Sequence, residues 1–303
     1  MKPTNKTEPT NMKTNKITFL GPVGATFSHD AYNVLAKIYG APSATEQNCI
    51  PASTNGEVLK MICAHGGYGA IAMETLAEGR VAEPLESFIA LLKTYEDMSA
   101  CPIRIAGAVK MKLHFCLMVR QDVDENAITA IVAHPKALGA CKGNIEKTGR
   151  PSKDASSNGE AARLVAEDEA YKTCAALGPR SAAEKYGLKI LNDAFEDKEA
   201  VTTFFLVTPA EHKVSIREKN RSLIVYKVLH QPGALVRSLL PFEAEGLNLI
   251  QIHSVHARNG SYHFAIEIEV GKDQLPAWQR ALQSFENCTE KHLAFGPFAV
   301  LSS

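Results

Sequence analysis

Two hydroxyls stand side by side in the run Glu199-Ala200-Val201-Thr202-Thr203-Phe204-Phe205-Leu206-Val207. β-Branched and aromatic residues dominate it, the composition of a buried strand. Two readings stand. The threonines satisfy their hydroxyls on neighbouring backbone, or a hydroxyl where the acidic loop Glu196-Asp197-Lys198-Glu199 enters the strand takes part in catalysis. Three other places could hold a ligand, the first two an anion. In Gly21-Pro22-Val23-Gly24-Ala25-Thr26-Phe27-Ser28-His29-Asp30, a glycine turn puts Thr26 and Ser28 at a helix start, with backbone N–H groups to offer. An ordinary cap explains the same residues. Ser156, Ser157 and Asn158 are first a capping cluster and also donors that suit a carboxylate. Glu74 and Thr75 end the apolar run from Tyr68, and ligands gather at such strand ends in open α/β sheets. Glu74 also fits a charge at the start of a helix over 76–92. His134-Pro135 reads as a turn.

The elements that must position these groups alternate. Strands are expected at 17–21, 68–75, 103–109, 113–119, 128–133, 175–177 and 189–191. Helices are expected at 30–39, 54–64, 136–147, 158–168 and 179–186. Such alternation argues for parallel sheets with helices on both faces, folded as two α/β lobes around a cleft. After Thr208-Pro209 a charged stretch, 211–220, reads as a linker. From Arg221 the order is strand 222–230, helix 234–245, strands 247–257 and 262–270 joined at Asn259-Gly260, helix 274–287 and strand 292–300. That is βαββαβ, a ferredoxin-like unit whose exposed helix and sheet edge suit pairing with a second copy.

Composition narrows the classes. At 303 residues, two or more domains are expected. Lys+Arg and Asp+Glu both number 33, so net charge recruits neither nucleic acid nor an anionic membrane. No apolar run reaches the roughly 18–20 residues of a membrane span. Residues 1–15 are polar and read as a disordered leader, not a signal peptide. Cysteines at 49, 63, 101, 116, 141, 174 and 288 form no CxxC pair and no ligand cluster. A reduced, cytoplasmic protein without metal, nucleotide or redox cofactor is expected.

Six fragments in register resemble the prephenate dehydratase family. Gly21 through His29 is similar to its GPxGTFSH opening, and Tyr68-Gly69 through Glu74, with Gly79 and Val81, to YGVVPIENSxxGSV. Ala133 to Leu138 resembles SHPQAL, Ser157 to Ala162 resembles STAEAA, and Ala183 to Leu188 resembles AAxxYGL. Val201-Thr202-Thr203-Phe204 falls at the family's TRF signature, with Thr203 in place of the arginine. Thr75 and Leu76 replace the asparagine and serine of ENS, and Asn158 replaces the threonine of STAEAA. Gly233-Ala234-Leu235-Val236 resembles the family's effector-binding GAL segment. His253-Ser254-Val255-His256 keeps only the serine of ESRP.

The resemblance implies a type II periplasmic-binding-protein-like domain over 16–210, split as 16–95 plus 190–210 against 96–189, with an ACT domain over 221–303. It implies a lyase that converts prephenate to phenylpyruvate with loss of water and CO2. Thr202 would donate a proton to the leaving hydroxyl; Thr26, Ser28, Glu74, Thr75, Ser157, Asn158, Thr203 and Phe204 would bind substrate. The missing arginine removes a charge-assisted contact worth roughly 2–3 kcal/mol, with Arg80 and Lys136 as replacements. Phenylalanine would bind as effector through Gly233, Ala234, Leu235, Val236 and Ser254, between ACT domains paired in a homodimer or homotetramer. Two alternatives follow from the altered motifs: a prephenate decarboxylase that keeps the ring hydroxyl, and a sensor without turnover.

Overall fold

The computed structural model describes residues 15–75, 79–213, 220–256 and 262–302, without the side chains of 79, 80 and 256. Residues 1–14 of the expected leader, Leu76, residues 214–219 of the expected linker and the Asn259-Gly260 turn lie outside them.

β1 (Ile17–Leu20) enters α1 (Phe27–Tyr39) through the glycine turn, and β2 (Cys49–Ala52) returns parallel to β1. α2 (Asn55–His65) then crosses to β3 (Tyr68–Thr75), parallel to β1 on its other side. β4 (Gly79–Arg80) folds back on the end of β3, and α3 (Ala82–Ala90) follows. β5 (Ile103–Leu113) still belongs to this first sheet.

The chain then crosses to a second sheet of β6 (Cys116–Val119), β7 (Ala130–Ala133), β8 (Ser152–Asp154), β9 (Cys174–Gly178) and β10 (Lys189–Asn192). Its order is β10-β6-β9-β7-β8, with α4 (Pro135–Ala140), α5 (Lys142–Thr148), α6 (Asn158–Glu167) and α7 (Arg180–Tyr186) between strands. β11 (Ala200–Pro209) returns to the first sheet between β3 and β5, antiparallel to both.

Both sheets are therefore mixed, not parallel as expected. Helix crossovers hold strands parallel only within a lobe. The first strand after each lobe crossing, β6 or β11, carries no such constraint and runs antiparallel to both of its neighbours. The crossings also fall between Leu113 and Cys116 and between Asn192 and Ala200, not at 95/96 and 189/190. The cause is the length of β5, whose Lys110-Met111-Lys112 end pairs with Thr203, Thr202 and Val201. The helix expected over 136–147 is two short helices that meet at Cys141.

The remaining elements are β12 (Arg221–Lys227), α8 (Ala234–Ala244), β13 (Leu249–His256), β14 (Tyr262–Glu269), α9 (Leu275–Glu286) and β15 (Lys291–Ser302). Their strand order, β13-β14-β12-β15, is ferredoxin-like. β15 does two jobs. Its first part pairs with β12, while Ala299–Ser302 pair parallel with β5, so the ferredoxin-like sheet continues the first lobe's sheet. Tyr39, at the end of α1, reaches this seam: its Oη lies 3.1 Å from Ala299 O. Gly107 makes room for that ring, because a Cβ there would sit 2.0 Å from the ring's Cζ. Edge-to-face pairs Phe88–Phe295 and Phe205–Phe298, with centroids 5.2 and 5.1 Å apart, pack the seam's apolar side. Among the described residues no helix is long and apolar enough to cross a membrane.

Candidate active site

A cavity of about 630 Å³ lies between the two lobes. Five helices begin on its wall. The cap residues Thr26, Thr54, Val81, His134 and Ser157 of α1, α2, α3, α4 and α6 all line it. Helix starts carry partial positive charge and N–H groups without intrahelical partners, so their convergence favours an anionic occupant.

The floor is the β3–β11 ladder. Thr202 stands opposite Thr75 and Phe204 opposite Ala72, and all four residues line the cavity. Thr203 stands opposite Glu74, and neither lines it. Residues directly opposed across two strands share a face. The register slips between Thr203 and Phe204, leaving Met73 as an extra, buried residue on β3. This β-bulge re-aims the strand end. Without it, Glu74 would share the face of Ala72; with it, Thr75 takes that place.

Two expected substrate residues are thereby corrected. Glu74 looks the other way, its Oε2 3.8 Å from Nη1 of Arg221, which also bonds buried Glu267 at 3.1 Å. Thr203, 3% exposed, is buried on that same far face. The Thr203 side chain is therefore no part of this wall.

The other expected residues, Thr26, Ser28, Thr75, Ser157, Asn158, Thr202 and Phe204, come together around the cavity. Their hydroxyls and amides are not equivalent. The Thr26 hydroxyl donates to Leu20 O at 2.8 Å and accepts from the His29 N–H at 3.3 Å, so the protein already uses it. Ser157 Oγ accepts from the Glu160 N–H at 3.0 Å, which leaves its proton to give. Asn158 Oδ1 accepts from the His134 N–H at 3.0 Å and ties α6 to the β7–α4 turn. His134 caps α4 through Nδ1, 3.2 Å from the Lys136 N–H; a neutral ring accepting at Nδ1 carries its proton on Nε2. Lys136 lines the cavity on the second lobe. The Arg80 side chain lies outside the described residues.

Behind the α1 start, the lobes are latched. Ser181 Oγ of α7 donates to Asp30 Oδ2 at 2.9 Å, and the Lys185 ammonium donates to Val23 O. Burial pushes the Asp30 carboxyl above its ordinary value against the opposing Ser181 bond. Burial, helped by Lys185, lowers the His29 ring.

Sequence reasoning missed the α2 wall. Ser53, Thr54 and Asn55 line the cavity, with Glu83 beside them. Thr54-Asn55-Gly56-Glu57 is a capping-box pattern: Thr54 Oγ1 accepts from the Glu57 N–H at 3.1 Å, and Glu57 Oε2 from the Ser53 N–H at 2.7 Å. That pattern marks the helix start in the sequence. Glu83 Oε1 accepts from the Gly56 N–H at 2.7 Å, a contact across 27 residues without a local signal.

A second cavity of about 520 Å³ surrounds the β12–α8 turn. Gly233, Ala234, Leu235 and Val236 all line it, with Tyr262 and Phe264 across from them. Gly233 has φ 74°, the left-handed conformation that favours glycine. Ser254, exposed on the edge strand β13, stands opposite Phe264 but does not itself line this wall.

The fold and cavity define a two-lobed α/β domain whose cleft is walled by helix starts and hydroxyls, followed by a ferredoxin-like unit. Residues 17–213 match the family model "Prephenate dehydratase". The prephenate dehydratase of Methanocaldococcus jannaschii is 30% identical over 240 residues, spanning 78% of this chain and 82% of that protein. The structure of a prephenate dehydratase from Arthrobacter aurescens in complex with L-Phe has a TM-score of 0.76 and 25% identity, covering 93% of this chain and 88% of that one. A structure described as GqqA, a novel type of quorum quenching acylase, has a TM-score of 0.75. At 23% identity, over 92% of this chain and 97% of that one, it bears on fold alone. The chain belongs to the prephenate dehydratase family.

Proposed function

We propose that this protein is a prephenate dehydratase serving phenylalanine biosynthesis in the cytoplasm. The ring carboxylate leaves as CO2, its bonding pair enters the ring, and the hydroxyl departs as water, leaving the aromatic ring of phenylpyruvate. The reaction needs a proton for a poor leaving group and partners for two carboxylates. Thr202 is the proton donor in this reading. Helix starts at Ser28 and Ser157, the Ser157 hydroxyl and Thr75 hold the substrate. The observation that carries the reading is the Thr202–Thr75 pair facing the same 630 Å³ cavity as the helix starts. Phenylalanine acts as effector at the Gly233–Val236 turn, and the ferredoxin-like units pair through exposed apolar residues such as Val236, which is 62% exposed.

The test is incubation of the purified full chain with prephenate, followed by product analysis. Phenylpyruvate is the expected product. A non-aromatic keto acid that keeps its hydroxyl makes the protein a decarboxylase, and heat of binding without product makes it a sensor.

A further inference from the structure

We infer that Asn55 is a substrate-binding residue whose side-chain amide donates to the side-chain carboxylate of the substrate. The inference rests on the dehydratase reading above and deepens it by naming a contact on the α2 wall. Asn55 is the first residue of α2 and lines the cavity. Its Oδ1 accepts from the Ala72 N–H of β3 at 3.1 Å. A backbone N–H only donates, so the oxygen end of the amide is the one at Ala72. The NH2 end is left over, with no hydrogen-bond partner among the described residues.

The tether has a structural reason. Pairing of β1 with β3 ends at Phe19 and Ala70, and past that point Asn55 takes the Ala72 N–H. In the family segment YGVVPIENSxxGSV, the place of Ala72 is held by proline, which has no N–H. Alanine brings a backbone donor to the cleft floor, and the Asn55 carbonyl satisfies it. Other N–H groups at this helix start are already used. Those of Ser53, Gly56 and Glu57 donate to Glu57, Glu83 and Thr54. The Asn55 amide thus gives the α2 wall a pair of donors that the protein does not itself consume.

Position on the ladder decides what those donors meet. Ala72 stands opposite Phe204, two residues along β11 from Thr202, which is about 7 Å of strand. In prephenate, the ring carboxylate and the keto-acid side chain share the ring carbon across from the one that bears the hydroxyl. With the hydroxyl at Thr202, the carboxylate end reaches the Ala72–Phe204 rung, where Asn55 is tethered. Reaction chemistry then chooses between the two carboxylates. The ring carboxylate loses its charge as CO2 departs, so a donor to it would favour the ground state and slow the step. The side-chain carboxylate keeps its charge from substrate to product. A donor to it binds ground and transition states alike, which lowers KM and leaves kcat unchanged.

The experiment measures turnover and urea unfolding of the full chain as wild type, Asn55→Asp and Asn55→Ala, at low and high salt. Aspartate keeps an oxygen for the Ala72 N–H and loses the donors, whereas alanine loses both. Both variants are expected to raise KM for prephenate roughly ten- to hundredfold, the scale of a hydrogen bond to a charged group, with kcat within about threefold. Asn55→Asp should keep the urea midpoint of wild type, and Asn55→Ala should lower it. An Asn55 that serves only to hold β3 would leave KM unchanged in Asn55→Asp, and that result overturns the inference. So does a rise in KM that high salt abolishes, which is charge repulsion alone, or a loss that falls on kcat. If wild type makes no phenylpyruvate, the dehydratase reading falls separately. Titration of prephenate at high salt into wild type and Asn55→Asp then decides: a weaker Kd in the variant supports Asn55, and equal Kd values or no binding by either overturn it.

Discussion

Toward the cavity, the β3–β11 ladder presents Ala72, Thr75, Thr202 and Phe204; on its other face, Thr203 stands opposite Glu74, whose carboxylate lies 3.8 Å from Arg221 of β12. One face lines the cleft and the other faces the ferredoxin-like sheet. Neighbouring residues of one motif thus fall on different faces, and the Met73 bulge decides that Thr75 shares the face of Thr202 while Glu74 shares that of Thr203. The difference teaches that the family signature around Thr202 is two signals in one. Position 202 belongs to the cleft, while position 203 belongs to a joint between sheets.

The largest effect expected from breaking this division is on the cavity face. Thr202→Val keeps shape and removes the hydroxyl. Loss of a general acid lowers kcat roughly 10²- to 10⁴-fold. Stopped assays of phenylpyruvate, with circular dichroism to check folding, measure it. Turnover near wild type would take the proton-donor role from Thr202.

On the joint face the loss is in stability. Arg221→Ala leaves Glu267, 2% exposed, without its guanidinium partner and removes the charge facing Glu74. Removing one member of a buried pair costs about 3 kcal/mol. Urea denaturation is expected to report that loss while kcat per folded molecule stays within about threefold. A collapse of kcat without loss of stability would mean that the two faces are not separate.

Much of this was legible in the sequence. Strand–helix alternation and the βαββαβ order come from local periodicity and turns, carried by single residues such as Gly233 before α8 and Pro276 in the first turn of α9. The Thr26, Ser157 and Thr54 caps are equally local, and the Thr54-Asn55-Gly56-Glu57 pattern marks the start of α2 without showing that it faces the cleft. What could not be read is non-local. The bulge at Met73 depends on how β3 aligns with β11, about 130 residues away in the chain, and a one-residue slip exchanges the faces of Glu74 and Thr75. The split pairing of β15 is equally hidden: Phe295 and Phe298 suit any buried strand, and nothing near them announces β5 as a partner.

The smallest effect expected is the most discriminating, because it tests the division between the two faces. Thr203→Val makes the same chemical change as Thr202→Val, one residue further along the strand. Thr203 is buried opposite Glu74 on the joint face, so its hydroxyl has no route to a molecule in the cleft. A β-branched replacement keeps strand propensity and volume. Activity is expected within about threefold of wild type, and stability within about 1 kcal/mol, the scale of a single hydrogen bond. Measured side by side, the two valine variants should differ in kcat by roughly the contribution of the proton donor. Equal losses would require both hydroxyls to face the cleft. That outcome would overturn the assignment of Thr203 to the joint face.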